Sequence, residues 1–160
     1  MRVIPRATAL PLLVLLLAGC GGGGGSTGSG KAAYLAQAEA ICTRANAAVK
    51  AVAGPTGATD FAPYVRKIVT LAETTTAQIA GLTPPKGDVA DLQAKVIAPL
   101  QSQLRDGQRF ADDVEAATVK KDTAALLRLA GSAPTKARAD LAYMRSYGFK
   151  ACVDVADTSS

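Results

Sequence analysis

Apolar residues recur at alternating steps of four and three along most of the chain after residue 30, which places them on one face of an α-helix. The pattern predicts four helices over residues 31–53, 60–82, 88–119 and 122–147, and it predicts no strand. We therefore assign the chain to the all-α class. The expected core stripes are Tyr34, Ala38, Ile41, Ala45, Val49 and Val52; Phe61, Val65, Ile68, Ala72, Thr75, Ile79 and Leu82; Val89, Leu92, Val96, Leu100, Leu104, Ala111 and Val114; and Leu126, Leu129, Ala130, Ala133, Ala137, Leu141 and Met144.

Proline-containing turns and capping residues mark the ends of these helices. Gly54-Pro55 and Pro84-Pro85 interrupt the apolar pattern, because a residue that precedes proline avoids the helical region of backbone space. Asp88 and Asp122 can accept hydrogen bonds from the first free amides of the third and fourth helices. The helices are therefore expected to be joined by short connections.

The third and fourth predicted helices contain residues that should distort or end them. Pro99 and Pro134 lack an amide hydrogen, so we expect a kink in the third helix at Pro99 and a kink or a split in the fourth helix at Pro134. Gly148 can take the left-handed conformation that ends a helix, with Phe149 folded back toward Met144. Four helices with short connections predict an up-down-up-down four-helix bundle.

Residues 1–20 have a pattern of their own. Arg2 and Arg6 are followed by a short apolar stretch, which is typical of a signal peptide and shorter than the roughly 20 residues of a membrane-spanning helix. The stretch ends in Leu17-Ala18-Gly19-Cys20, which resembles the lipobox of bacterial lipoproteins. The resemblance implies cleavage between Gly19 and Cys20 and transfer of a diacylglyceryl group to the Cys20 sulfur. Acyl chains such as palmitate would then anchor the protein in the cell membrane, on its extracytoplasmic face.

Residues 21–30 read GGGGGSTGSG, a sequence that buries no apolar area and behaves as a flexible tether. The expected organisation is a signal peptide over residues 1–19 and a lipidated cysteine with its tether over 20–30. A helical domain over 31–153 follows, and a frayed tail over 154–160 ends the chain.

Composition limits the chemistry that the helices can perform. The chain is 49% hydrophobic but only 4% aromatic, and it contains no histidine. Without histidine the commonest general base and metal ligand at neutral pH are missing, so we expect no metal and no cofactor. The net charge of +5, of which Arg2 and Arg6 supply two, is too dispersed to indicate nucleic-acid binding. We make no assignment of oligomeric state.

Two cysteines lie in the helical domain, at positions 42 and 152. A signal peptide would deliver them to an oxidising compartment, where only one intramolecular pairing exists. We therefore predict a disulfide between Cys42 and Cys152. A redox-active or metal-binding pair is the alternative, but it is disfavoured because the chain has neither CxxC spacing nor histidine.

Residues spread over most of the mature chain resemble a group of small helical lipoproteins of high-GC bacteria. They are Tyr34, Ala38, Ile41-Cys42 and Asn46, then Pro84-Pro85, then Tyr147-Gly148-Phe149 and Cys152. The group has no assigned activity, so the resemblance implies architecture and location only. Within it Cys42, Asn46, Gly148 and Cys152 correspond to structural positions.

Two clusters of polar residues are candidates for chemistry. The acidic cluster Asp112-Asp113 and Glu115 could act as acid and base or bind a cation. Arg105 and Arg109 lie within two turns before it, however, so we favour exposed ion pairs between Arg109 and these carboxylates. Thr74-Thr75-Thr76 would need a base to supply a nucleophile. We expect the Thr75 hydroxyl to bond a backbone carbonyl of the preceding turn instead.

Three further features each allow a structural and a functional interpretation. Asn46 either links two helices by a hydrogen bond or contacts a ligand, and we favour the link. Tyr34, Tyr143 and Tyr147 either edge the core or contact lipid, and we favour the core edge. Lys120-Lys121 is either a solvated loop or a contact for an anionic cell-wall polymer, and we favour the loop.

No P-loop, Rossmann glycine motif or catalytic set is present in the sequence, and we expect a protein that is not an enzyme. The expected function is a non-enzymatic interaction or structural module of the cell envelope. Its partners would be the bilayer, through the Cys20 acyl chains, and an envelope protein or polymer. The alternative is a carrier of a small apolar ligand or lipid between the helices, which an apolar cavity of roughly 300 Å³ would support.

Overall fold

The described part of the chain is helical. The computed structural model describes residues 30–132 and 138–157, and these ranges contain six helices and no strand. The all-α class is therefore confirmed. The helices are α1 (Lys31–Lys50), α2 (Ala58–Ala80), α3 (residues 89–119), α4 (Thr123–Ala130), α5 (Leu141–Tyr147) and α6 (Ala151–Asp157).

The first two helices lie close to their predicted positions, but their buried faces differ in detail. In α1 the stripe from Tyr34 to Ala45 is buried, whereas Val49, in the last turn, is 38% exposed. In α2 Val69 and Thr76 are buried, and Ala72 is exposed. Two adjacent stripes on one helix both satisfy steps of three and four, so spacing alone does not distinguish them.

The third helix covers its predicted range and is continuous through Pro99 and Gly107, but it is not a uniform α-helix. A π-helical turn at Gln93–Ile97 separates the α-helical stretches Val89–Leu92 and Ala98–Val119. The kink that was predicted at Pro99 is not confirmed. The proline is instead accommodated by the wider turn immediately before it.

A backbone carbonyl within this π turn, that of Lys95, contacts the segment that leads into α5. Pro99 has no amide hydrogen to offer the Lys95 carbonyl four residues earlier, and its ring would clash with that carbonyl. The Lys95 carbonyl oxygen accepts a hydrogen bond from the Asp140 amide instead, at 3.0 Å. The Lys95 carbonyl, which Pro99 cannot bond, thus holds Asp140, the residue that precedes α5, by a hydrogen bond.

The fourth predicted helix is divided in two. α4 begins after Asp122, whose carboxylate accepts the Ala125 amide at 2.9 Å, so the predicted N-cap is confirmed. α5 begins after its own N-cap, Asp140, which accepts the Tyr143 amide at 2.9 Å. Of the two outcomes expected near Pro134, the split into separate helices is therefore observed and the single kinked helix is not confirmed. Pro134 itself lies outside the described residues. Since the described residues form six helices, the up-down-up-down four-helix bundle is not confirmed.

The end of α5 was predicted correctly. Gly148 has φ 114°, a left-handed conformation that favours glycine. The Phe149 amide donates to the Met144 carbonyl at 3.0 Å, and the Gly148 amide donates to the Arg145 carbonyl at 3.1 Å, which together form the Schellman motif. The chain then turns into α6, which extends to Asp157, beyond the domain boundary expected at residue 153.

Within residues 30–132 and 138–157, the buried apolar residues form one large cluster and two small ones. The large one, which we call the terminal cluster, joins the two ends of the helical domain to the end of α2 and the start of α3. The small ones, which we call the hairpin clusters, lie between α2, α3 and α4. The terminal cluster contains Tyr34, Ala38, Ile41, Cys42, Ile79, Leu92, Val96, Ile97, Ala139, Met144, Tyr147, Phe149, Cys152 and Val153. The hairpin clusters contain Val65, Val69 and Ala111, and Val114, Ala117 and Leu126, with Phe61 and Phe110 packed against both.

Candidate functional site

One face of α1 holds the start of α6. Glu39, Cys42 and Asn46 are three and four residues apart, so their side chains lie along the same side of the helix. The Glu39 carboxylate accepts the Lys150 amide at 2.9 Å and the Ala151 amide at 2.7 Å. The Asn46 side-chain amide donates to the Ala151 carbonyl at 3.2 Å. We use the name α1–α6 clamp for these hydrogen bonds together with the Cys42–Cys152 disulfide.

The predicted disulfide between Cys42 and Cys152 is confirmed. It joins residues 110 positions apart, with their Cα atoms separated by 4.9 Å. The two cysteines are only 2% and 5% exposed. Such burial is typical of a structural bond, whereas a redox-active cysteine needs access to its reaction partner.

The role of Asn46 in the clamp was predicted from the sequence, whereas that of Glu39 was not. The structural role favoured for Asn46 agrees with its hydrogen bond to Ala151. Glu39 was not anticipated, although α6 contains an indirect signal. No Ser, Thr, Asp or Asn precedes Ala151 to cap the helix, so its first amides need an acceptor from elsewhere. A carboxylate on another helix supplies that acceptor.

Beside the clamp, four aromatic rings pack together. Tyr34 meets Tyr147 and Phe149 edge to face, with ring centroids 6.4 and 6.2 Å apart. Tyr147 stacks on Tyr143 at 5.6 Å and on Phe149 at 5.4 Å. Tyr34 and Tyr147 are buried, so the structure agrees with the core-edge interpretation of the three tyrosines.

The hydroxyl of Tyr147 connects this aromatic group to α3. It donates to a carboxylate oxygen of Asp88 at 2.6 Å. Burial, and then the Asp88 carboxylate, raise the pKa of Tyr147 far above its usual value. Asp88 occupies the predicted N-cap position, but its side chain makes no capping hydrogen bond because it accepts from Tyr147 instead.

Tyr34 and two lysines complete the electrostatics of this region. Burial, and then proximity to Tyr143, raise the pKa of Tyr34. The Lys31 ammonium lies 4.1 Å from the centroid of the Tyr147 ring, and the Lys95 ammonium lies 4.6 Å from that of Tyr143. Cations above aromatic faces are attracted by the ring quadrupole, which fixes both lysines against the cluster.

The acidic cluster on α3 pairs with a different arginine from the one expected. Arg66 on α2 contacts the Asp112 carboxylate at 3.0 Å and also pairs with Glu115. Hydrogen bonds to Glu115, and then to Asp112, raise the pKa of Arg66. The expected pairing of Arg109 with these carboxylates was wrong. Arg109 pairs with Asp106, which also pairs with Arg138.

Of the remaining candidate residues, Thr75 has a hydrogen bond within its own helix, and Lys120 and Lys121 are exposed to solvent. The Thr75 hydroxyl donates to the Leu71 carbonyl at 2.7 Å, as expected. Lys120 and Lys121 are exposed, and Lys121 has φ 56° in the turn between α3 and α4. Within residues 30–132 and 138–157, no group of three or more acidic or cysteine side chains could hold a metal ion.

A cleft of about 350 Å³ opens on the surface where α1 connects to α2. It lies outside the terminal cluster, and both apolar and charged side chains line it. The lining residues are Val52, Ala53, Gly54, Pro55, Thr56, Asp60, Pro63, Tyr64 and Lys67. Its position on the surface differs from the interior apolar cavity that a carrier would need.

In the described ranges the fold and the clamp define a set of helices in which α6 is fixed to α1. No protein-family model matches the chain, and no curated protein or solved structure matches it either. Gly19 and Cys20, the residues assigned to cleavage and lipidation, lie outside the described residues. Among the helices of the described ranges, none is both long enough and apolar enough to cross a membrane.

Proposed function

We propose that the protein is a membrane-anchored extracytoplasmic lipoprotein whose helical domain serves as a non-enzymatic interaction or structural module of the cell envelope. The observation that carries this proposal is the sequence Leu17-Ala18-Gly19-Cys20 after a short apolar stretch. A glycine-rich tether follows it and leads directly into α1. The Cys42–Cys152 disulfide supports export, because such bonds persist mainly in oxidising compartments.

The contacts of the polar candidates favour a structural module over an enzyme. Asp112 and Glu115 of the acidic cluster on α3 are paired with Arg66, and the Thr75 hydroxyl is bonded to a backbone carbonyl. The Asn46 amide is bonded to α6. Each of these groups has a partner within the domain that accounts for its presence without any substrate.

The arrangement of the clusters suggests which end of the domain meets a partner. Tyr34 at the start of α1, Ile79 near the end of α2 and Leu92 at the start of α3 share the terminal cluster. This supports an up-down-up course of the first three helices, with the tether leaving at the terminal cluster. The loops over residues 51–57 and 120–122 would then face away from the membrane, toward an envelope protein or polymer.

Intact mass spectrometry of the protein extracted from its native membrane tests the anchoring. We expect a chain that begins at Cys20 and carries diacylglyceryl, and Cys20→Ser should remain uncleaved and unlipidated. Cys42→Ser, as a matched cysteine control, should retain the lipid. A parent protein that still carries residues 1–19 and an unmodified Cys20 would contradict the proposal.

Crosslinking in cells, followed by purification of the anchored protein, tests the module. We expect a specific envelope protein or polymer to be crosslinked to residues of the 51–57 or 120–122 loops. Crosslinks confined to the surface around α5 and α6 would contradict the proposed orientation. The carrier alternative gains no support from the surface cleft, which Asp60 and Lys67 line together with apolar groups.

A further inference from the structure

We propose that Glu39 is a positioning residue for closure of the Cys42–Cys152 disulfide, because it captures the start of α6 before the two sulfurs join. Its carboxylate accepts two successive amides, those of Lys150 and Ala151, at 2.9 and 2.7 Å. The Cys152 amide lies 3.5 Å from the same carboxylate. The contacts end at the residue that must meet Cys42.

The spacing of Glu39, Cys42 and Asn46 along α1 sets the direction in which the start of α6 crosses the helix. Glu39 lies one turn before Cys42, and Asn46 lies one turn after it, so the disulfide is flanked by a polar contact on each side. Glu39 binds the amides at the start of α6, and Asn46 binds the carbonyl of Ala151. These two contacts fix both the position and the direction of the Lys150–Cys152 segment across α1.

A carboxylate is well suited to this task. The first amides of a helix have no acceptor within the helix, and they carry the positive end of its dipole. Residues 148–150 read Gly-Phe-Lys and include no capping side chain. Docking on Glu39 therefore favours both the formation of α6 and its placement, while the cysteines are still thiols.

The bond then forms by exchange with an external disulfide, either a small molecule or a protein. One cysteine thiolate displaces a thiolate from the reagent and forms a mixed disulfide, and the second cysteine thiolate attacks that bond. The two cysteines are oxidised, the reagent is reduced to two thiols, and the two cysteine protons pass to those thiols. Glu39 does not take part in electron transfer. It raises the local concentration of one sulfur near the other.

The test is the equilibrium between the full chain and glutathione, with Cys20→Ser in every variant so that two thiols remain. The disulfide fraction is measured by alkylation and mass spectrometry over a range of glutathione ratios. We expect Glu39→Gln to lower the equilibrium constant for closure by about five- to tenfold, because glutamine keeps one acceptor oxygen but loses the negative charge and the second acceptor. Asn46→Ala should lower it by about threefold, since it loses one neutral hydrogen bond.

Two controls separate positioning from general stability. Glu73→Gln makes the same charge change at an exposed site on α2 and should leave the constant unchanged within about twofold. Leu126→Ala destabilises a hairpin cluster far from the clamp and should also leave it unchanged. The proposal is overturned if Glu39→Gln stays within twofold of the parent, or if Leu126→Ala lowers the constant as much as Glu39→Gln does. Because the oxidant is supplied, the result does not depend on whether the protein is anchored to a membrane.

Discussion

The terminal cluster and the hairpin clusters are stabilised by different kinds of contact. The terminal cluster joins residues that are more than one hundred positions apart, through a disulfide, a carboxylate cap and the edge-to-face packing of Tyr34 on Tyr147 and Phe149. The hairpin clusters join neighbouring helices through apolar side chains, among them the edge-to-face pair of Phe61 and Phe110, and through exposed ion pairs around Arg66. Directional contacts are thus concentrated where the two ends of the domain meet.

This difference has a physical reason. α2, α3 and α4 follow each other along the chain, so bringing them together costs little loop-closure entropy. Joining α6 to α1 closes a much longer loop, and α6 is only 7 residues long. The disulfide and the hydrogen bonds of Glu39 and Asn46 therefore add to the apolar contacts that hold α6 against α1.

The largest effect should come from opening this long loop. Cys152→Ser removes a crosslink between residues 110 positions apart. We expect the free energy of unfolding to fall by about 4 kcal/mol, because the unfolded chain gains conformational freedom. Urea denaturation of the parent and the variant measures the change, and the parent treated with reductant should match the variant. A loss below about 1 kcal/mol would mean that the bond contributes little to holding the ends together.

A pair of leucines compares the two regions directly. Leu92, in the terminal cluster, is fully buried, whereas Leu126, in a hairpin cluster, is 7% exposed and lies on the short α4. We expect Leu92→Ala to cost about 3–4 kcal/mol and Leu126→Ala about 2 kcal/mol, because α4 can shift to fill the space that is left. Equal losses in thermal or urea unfolding would show that the crosslinked region relaxes as readily as the hairpin.

A smaller effect is expected at the Tyr147 hydroxyl. Tyr147→Phe removes its hydrogen bond to Asp88 and should cost about 1–2 kcal/mol at neutral pH. The raised pKa of Tyr147 in the folded protein adds a signature in alkali. The parent has its full stabilisation below about pH 10 and loses it as the pH rises above the pKa of an unfolded tyrosine. The variant should show less of this loss in unfolding experiments between pH 9 and pH 11 (about one unit either side of that pKa). Parallel pH profiles would contradict the assignment.

The smallest change should be at Arg66. Its ion pairs with Asp112 and Glu115 are exposed to solvent, so salt and side-chain entropy offset most of their attraction. We expect Arg66→Gln to alter the unfolding midpoint by no more than the error of a urea titration at moderate salt. A large loss that persists in high salt would show that the hairpin clusters also depend on a directional contact.

The sequence predicted the features that depend on neighbouring residues. The N-cap of Asp122 and the left-handed end at Gly148 each follow from local residue types. The cysteine pairing was also predictable, because only two thiols remained once Cys20 was assigned to the lipid. Local chemistry and simple counting therefore account for much of the fold.

The features that were missed depend on the register of one helix against another. Glu39 is the single acidic residue of α1, and in the sequence it looks like an ordinary surface carboxylate until α6 is placed beside it. Arg66 lies far in sequence from the carboxylates that it pairs with, and i to i+4 spacing favoured Arg109 instead. The Lys95 carbonyl became an acceptor for Asp140 only through the combination of Pro99 and the approach of α5.

Native-state hydrogen exchange on the parent and on Cys152→Ser, read out by mass spectrometry of peptides, tests the contrast between the two regions most directly. We expect the variant to lose amide protection in α5, α6 and the first turns of α1 at least about tenfold more than in the second half of α3 and in α4. An equal loss in all of these segments would show that the directional contacts of the terminal cluster do not act locally, and it would contradict this account.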